Sequence, residues 1–182
     1  VDGSGNLRMD EFELALKRDP SLFSLMWANN ETGVVFHIRE LAARVKEAGG
    51  IFHTDAVQSV GKLPIDLRID PVDMLSMSGH KLHAPKGIGA LYIRKGTKLK
   101  TFMIGGHQEN GRRGGTENTP YIVGLGKACE LAISNMQEEI TRVAGLRDRL
   151  ERELIARCPD VHVNGDRANR LPNTTNLSFK FI

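Results

Sequence analysis

Cysteine is scarce in this chain, with two in 182 residues, Cys129 and Cys158, and their separation fits neither a metal site nor a redox pair. A disulfide framework and a Cys-x-x-Cys centre are thereby excluded, and a reducing cytoplasm is the expected compartment. Aromatic residues make up only 5%, and the formal net charge of +3 is small and evenly spread. That balance gives no footprint for nucleic acid. No apolar run approaches the length of a membrane span, and no signal peptide opens the chain. Internal repeats and low-complexity tracts are missing too. The remainder is ordinary globular composition, 40% hydrophobic and 26% charged, enough for one domain or part of a larger one. The first residue is Val1 rather than Met, and the last ones, Asn176 to Ile182, read as a strand cut midway. Both ends suggest a fragment.

The most informative stretch runs from Met74 to Arg94. It reads as a buried strand over 72–77, a polar turn holding Ser78, Gly79, His80 and Lys81, and a second apolar strand over 90–93. A lysine directly after a buried strand starts near the core, where desolvation makes an amine nucleophilic. The plainer reading is a solvated loop lysine.

The rest of the chain bears on that choice. Residues 1–12 imitate the later part of a calcium loop, with Asp2, Ser4, Gly5, Leu7 and Glu11 at EF-hand positions. The first ligand would precede Val1 and Arg8 stands where an oxygen is usual, so a Gly-rich turn into a helix over 10–17 is the expectation. Residues 21–27 read as a buried strand ending at Ala28-Asn-Asn-Glu-Thr-Gly33, where Asn29 and Asn30 are either turn residues or ligand contacts. Ile38, Leu41, Ala42 and Val45 follow helical spacing, closed by Gly49-Gly50, and Ile51 to Thr54 returns as a strand delivering Asp55. Strand, helix and strand in about thirty residues form a βαβ unit and imply a parallel sheet. Three successive strands thus end in Asn30, Asp55 and Ser78 to Lys81, all on one sheet edge, which is where open α/β sheets bind ligands.

Residues 105–118 form a glycine-rich loop with Arg112 and Arg113, suited to an anion or to a flexible connector. From Ile122 to Leu154 apolar residues recur every three or four positions, predicting one long amphipathic helix or two in tandem, bent near Gly145. Cys129 falls on that stripe as a core residue, and Cys158 lacks a neighbouring base. Residues 161–163 and 177–182 read as strands of a second unit.

An aspartate and a lysine at neighbouring strand ends suit pyridoxal phosphate: the lysine bonds to the cofactor aldehyde and the carboxylate pairs with the ring nitrogen. Ser78 and the Gly79 amide can hold a phosphate, and Gln58 can hydrogen-bond the ring hydroxyl. The segment His53 to Asp66, followed by Ser78-Gly-His-Lys-Leu-His-Ala-Pro-Lys-Gly-Ile-Gly89, closely resembles the NifS/IscS cysteine desulfurases. These are class V aminotransferase-like enzymes. Trp27 to Gly33 and Gly105 to Asn118 extend the resemblance, which covers essentially the whole chain.

The resemblance implies PLP-dependent transferase fold type I, an α/β fold with a mostly parallel sheet flanked by helices. Residues 1–120 would belong to the large domain, 121–157 to a linking helix or helix pair, and 158–182 to the start of a small C-terminal domain. Lys81 would be the Schiff-base lysine and the carrier of the Cα proton. Asp55 would pair with the pyridine nitrogen and Gln58 with the phenolate oxygen. Ser78, Gly79 and His80 would anchor the phosphate, and Asn30 would contact cofactor and substrate carboxylate. Thr116 would reach the phosphate of a partner subunit, making the enzyme a homodimer. Asn110 stands where many relatives have arginine. The family's catalytic cysteine would lie beyond Ile182, so these residues alone would not desulfurate cysteine.

The activity implied is conversion of L-cysteine to L-alanine, with sulfur passed to a scaffold protein of iron–sulfur or nitrogenase cofactor assembly. Neither nucleic acid nor membrane is an expected partner, and no metal ligands are expected. Rival readings are another class V enzyme, such as a selenocysteine lyase or an aminotransferase, and a calcium-binding module at the N-terminus.

Overall fold

Short runs of alternating apolar residues build the main sheet of the protein, whose computed structural model describes residues 1–18 and 21–181. Strands β1 (Leu22–Met26), β2 (Ile51–Asp55), β3 (Met74–Ser78) and β4 (Gly89–Ile93) lie in that spatial order. The first three are parallel, with Met26 beside Asp55 and Asp55 beside Ser76. β4 returns antiparallel, Ser78 opposite Gly89, because only a tight turn and short loop separate it from β3, too little chain for a crossover. The sequence predicted both β3 and β4 but not this reversal.

Helix α2 (Ile38–Glu47) is the crossover between β1 and β2. Its stripe Ile38, Leu41, Ala42 and Val45 is buried against Phe52, Val72 and Leu75. Burying a side chain such as Phe52 stabilises the fold by roughly 1.5–3 kcal/mol. The helix stops where Gly49 takes a φ of +80°, letting the Gly49 and Gly50 amides cap Lys46 and Val45. Helix α1 (Met9–Leu16) adds Phe12, which meets Phe23 edge-on at 5.5 Å. The opposite sheet face carries the other half of each alternation, with Leu22, Ser24 and Met26 exposed on β1.

Two helices occupy the region predicted as one long helix or a pair: α3 (Thr119–Ser134) and α4 (Met136–Arg157). The break is at Asn135, not near Gly145, which sits inside α4. Serine and asparagine favour helix ends over interiors, and they are adjacent here. The apolar stripe is a second correction. Leu125 and Ala128 are buried, yet Leu146 and Leu150 are more than half exposed and Glu151 is buried instead. Cys129 is half-buried rather than part of the core, and burial pushes its thiol up from the ordinary value.

Strands β5 (Val161–Val163) and β6 (Leu177–Phe179) pair antiparallel as a separate small sheet. Ile182, the last residue of the predicted final strand, lies outside the described residues. The connection 164–176 lies along the 29–35 turn beyond β1: the Val35 amide donates to Asn169, and the Leu171 amide to Gly33.

Candidate active site

Parallel strands leave their carboxyl ends on one edge, and the turns that follow β1, β2 and β3 carry most of the polar groups singled out above. After β1, the two adjacent asparagines divide. Asn29 Oδ1 accepts from the Glu31 and Thr32 amides at 2.9 Å and from the Thr32 hydroxyl at 3.2 Å, so Asn29 is a turn former. Asn30 is exposed, its amide nitrogen donating to Glu31 Oε1 at 2.9 Å. Of the two, Asn30 is the one presented outward.

Asp55 ends β2 in an exposed position, with Oδ1 accepting from the Val57 amide at 2.9 Å. The second carboxylate oxygen has no hydrogen-bond partner among the described residues. Two residues back, His53 is held between strands: Nδ1 lies 2.8 Å from Ser24 Oγ and Nε2 lies 2.8 Å from Ser76 Oγ. Burial lowers the imidazole below its ordinary range, against the pull of the Asp55 charge. A histidine flanked by two hydroxyls thus sits two residues before the carboxylate on the same strand. Sequence reading passed over it, although Ser24, His53 and Ser76 each sit two residues before a strand's end.

Gln58 lies in the turn after Asp55, and its backbone carbonyl accepts from Lys62 Nζ at 3.0 Å. Burial, reinforced by the Lys81 charge, pushes the Lys62 amine down from its ordinary value. Lys62 is a second amine near the site, which the sequence reading did not single out.

Ser78 closes β3, and a single 3-10 turn, Gly79–Leu82, follows. His83 ends that turn in the left-handed region at φ 64°. Ser78 Oγ and His80 Nδ1 are 2.7 Å apart at the surface. Gly79 behaves differently from the expectation. Its amide donates to the Ile88 carbonyl at 2.9 Å, so it is not free to hold a phosphate. A Cβ there would stand 2.8 Å from Ile88 Cγ2 and 3.1 Å from Ala84 Cβ, so glycine is needed for packing. Lys81 has no hydrogen bond or ion pair among the described residues. It lines a cavity of about 830 Å³ between the 3-10 turn, α3 and α4, along with Lys62, Leu82 and Asn173.

The edge therefore unites Asn30, Asp55, Gln58, Ser78 and His80, while Lys81 lines the adjoining cavity. Thr116 is exposed in the 105–118 loop, with no hydrogen bond among the described residues. That loop is a hairpin, Gln108 bridging Arg113, turned by Glu109 and Asn110 at positive φ. At the other end of the chain, Asp2 Oδ1 accepts the Ser4 and Asn6 amides at 2.9 Å, and Glu11 pairs with Arg8. Those acids hold a turn and a helix start. No group of three or more His, Cys, Asp or Glu side chains able to hold a metal is found among the described residues. Nor is any described helix long and apolar enough to cross a membrane.

The donor set fits pyridoxal phosphate chemically. It offers an uncommitted amine, an exposed carboxylate with a free oxygen, and a hydroxyl–imidazole pair for an anion.

Comparison with known proteins gives the family. The model of the aminotransferase class-V family matches residues 1–182. A cysteine desulfurase of Trichormus azollae is 57% identical over 182 residues, all of this chain and 46% of the relative. The cysteine desulfurase NifS of Azotobacter vinelandii is 52% identical, with 45% of its length covered. Among solved structures, a NifS-like protein from Rickettsia africae superposes with a TM-score of 0.95 at 32% identity, over 100% of this chain and 51% of that one. The chain spans about half the length of the curated relatives it matches.

Proposed function

The chain belongs to the aminotransferase class-V family, and from that premise we propose that it carries the pyridoxal-phosphate part of a cysteine desulfurase site. Bound there, the cofactor would supply an aldehyde for an amine to condense with and a ring that draws electrons from the amino acid's Cα. Lys81 would be the amine that holds the cofactor and then moves the Cα proton. Its supporting observation is an uncommitted amine three residues beyond the end of β3, the strand next to the one that Asp55 ends.

Asp55 would keep the ring nitrogen protonated through its free oxygen, with His53 fixing the strand beneath it. Gln58 would donate to the ring hydroxyl. Ser78 and His80 would bind the phosphate, and Gly79 would contribute room rather than a donor. Asn30 would face the substrate carboxylate, its neighbour Asn29 holding the turn. Thr116 would serve the phosphate of a second copy in a homodimer. The substrate would be L-cysteine, with L-alanine as product. The sulfur would pass through a cysteine outside these residues to a scaffold of iron–sulfur or nitrogenase cofactor assembly in the cytoplasm.

The test is Lys81→Ala in a polypeptide of the relatives' full length that carries these 182 residues. The variant should lose both the visible absorbance of bound cofactor and the release of alanine from cysteine. A borohydride-trappable cofactor linkage surviving in the variant would overturn the assignment of Lys81.

A further inference from the structure

The connection 164–176 between β5 and β6 touches both halves of the site. Its Leu171 amide donates to the Gly33 carbonyl at 2.8 Å, and its Asn169 carbonyl accepts from the Val35 amide at 2.8 Å. Asn176 Nδ2 donates to the Glu31 carbonyl at 3.2 Å. Thr174 packs so closely that a Cβ on Gly33 would stand 2.6 Å from its Cβ. These contacts enclose the turn that presents Asn30. From the same segment, Pro172 and Asn173 form part of the wall of the cavity that Lys81 lines.

The β5–β6 pairing ties this segment at its ends, Asn164 to Asn176, and α4 holds it between them. Glu151 is buried, and Oε2 accepts from Arg170 Nη1 at 2.5 Å and Thr175 Oγ1 at 2.6 Å. Oε1 pairs with Arg167 at 2.9 Å. Arg147, one helical turn earlier, donates to the Leu171 carbonyl at 2.7 Å. One buried carboxylate therefore gathers three residues of the connection, Arg167 just before the stretch that meets the Asn30 turn and Arg170 and Thr175 within it. A purely scaffolding contact would be served as well by apolar packing, because burying ions is costly. What a directional ionic knot adds is a fixed register between α4 and the connection.

We infer that Glu151 is a positioning residue: through Arg170 and Thr175 it sets the 169–175 strap, and the strap sets the Asn30 turn on the substrate side of the site. The inference rests on the reading under Proposed function for the word substrate, but not for the strap itself. Loss of the knot frees the strap to shift along the turn, so amino-acid binding weakens while the Lys81 linkage, carried by β3, stays intact.

The experiment compares Glu151→Gln, Thr175→Val and wild type in the full-length polypeptide, well below the melting temperature. Thr175→Val keeps the charges and serves if Glu151→Gln folds poorly. The expected result is a rise of about tenfold in KM for cysteine in Glu151→Gln and a smaller rise in Thr175→Val. In both, kcat should change less than twofold and borohydride-trappable cofactor should be unchanged. Amide hydrogen exchange, read without cofactor, should speed up at Val35 and Leu171 but not at Phe52. Unchanged KM in both variants, with only a lower melting temperature, would make the knot merely structural and overturn the inference. Unchanged exchange at Val35 and Leu171 would overturn it as well. A wild type that traps no cofactor would instead defeat the underlying reading, leaving the exchange result to decide the strap.

Discussion

Replacing Glu151 with glutamine should also leave a pH signature in stability. The Glu151 side chain is 3% exposed and faces Arg170, whose side chain is 5% exposed. The Arg170 hydrogen bond leads in holding the Glu151 carboxyl down, from 4.5 to about 2, against the opposing effect of burial. A carboxylate lowered on folding stabilises the native state above its unfolded value, near 4.5, and loses that contribution as pH falls toward about 2. The gap corresponds to about 3 kcal/mol at neutral pH, the same order as the loss on breaking a buried ion pair. Titration leaves less than half of it at about pH 3. Urea unfolding of wild type and Glu151→Gln, followed by circular dichroism at neutral pH and in steps down to about pH 3, reads this directly. The two curves should lie about 3 kcal/mol apart at neutral pH and converge in acid. Equal midpoints at neutral pH, or a separation that does not shrink below about pH 4.5, would refute the reasoning.

Two further outcomes follow from the site. Gly33→Ala should destabilise by about 1–3 kcal/mol, because φ is +78° and the new methyl meets Thr174; Thr174→Gly in the same chain should recover only part of it, the torsion remaining strained. Full recovery would show that the torsion costs nothing. The His53 imidazole should titrate below 6.5 by NMR, since burial leads its shift; its stabilising contribution is then complete above 6.5 and declines as pH drops through the folded midpoint. A midpoint at or above 6.5 would mean that the Asp55 charge prevails over burial.

Local patterns made β1, α2 and β2 legible, because their apolar periods and closing glycines agree with the packing that forms. The convergence of Asn30, Asp55 and Ser78 on one edge followed from the βαβ rule and proved right in the backbone. Direction was not legible in β4, since alternation is the same whichever way a strand runs. The helix break at Asn135 escaped because the step from Ala132 to Met136 keeps the three-to-four spacing across it. The burial of Glu151 escaped for a stronger reason: pattern alone places Leu150 inward, and only the arginines of a connection some twenty residues later make the carboxylate the inward residue. Asn29 and Asn30 could not be separated by composition, since the turn's amides decide which of the two is spent. In the sequence Gly79 reads as a donor, whereas in the fold its hydrogen is already given to Ile88.

The 3-10 turn between Ser78 and His83 has a consequence for how this chain tolerates insertions. With three residues per turn, each added or deleted residue between β3 and Lys81 swings the amine by about 120° around the turn axis. A one-residue deletion would move Lys81 to the exposed place of His80, off the cavity wall, and put Leu82 where the lysine now stands, while an insertion would move it to the buried place of Leu82. Lengths here are geared in whole clicks. Most surface loops absorb an extra residue as slack, whereas this one would convert it into the wrong side chain facing the site.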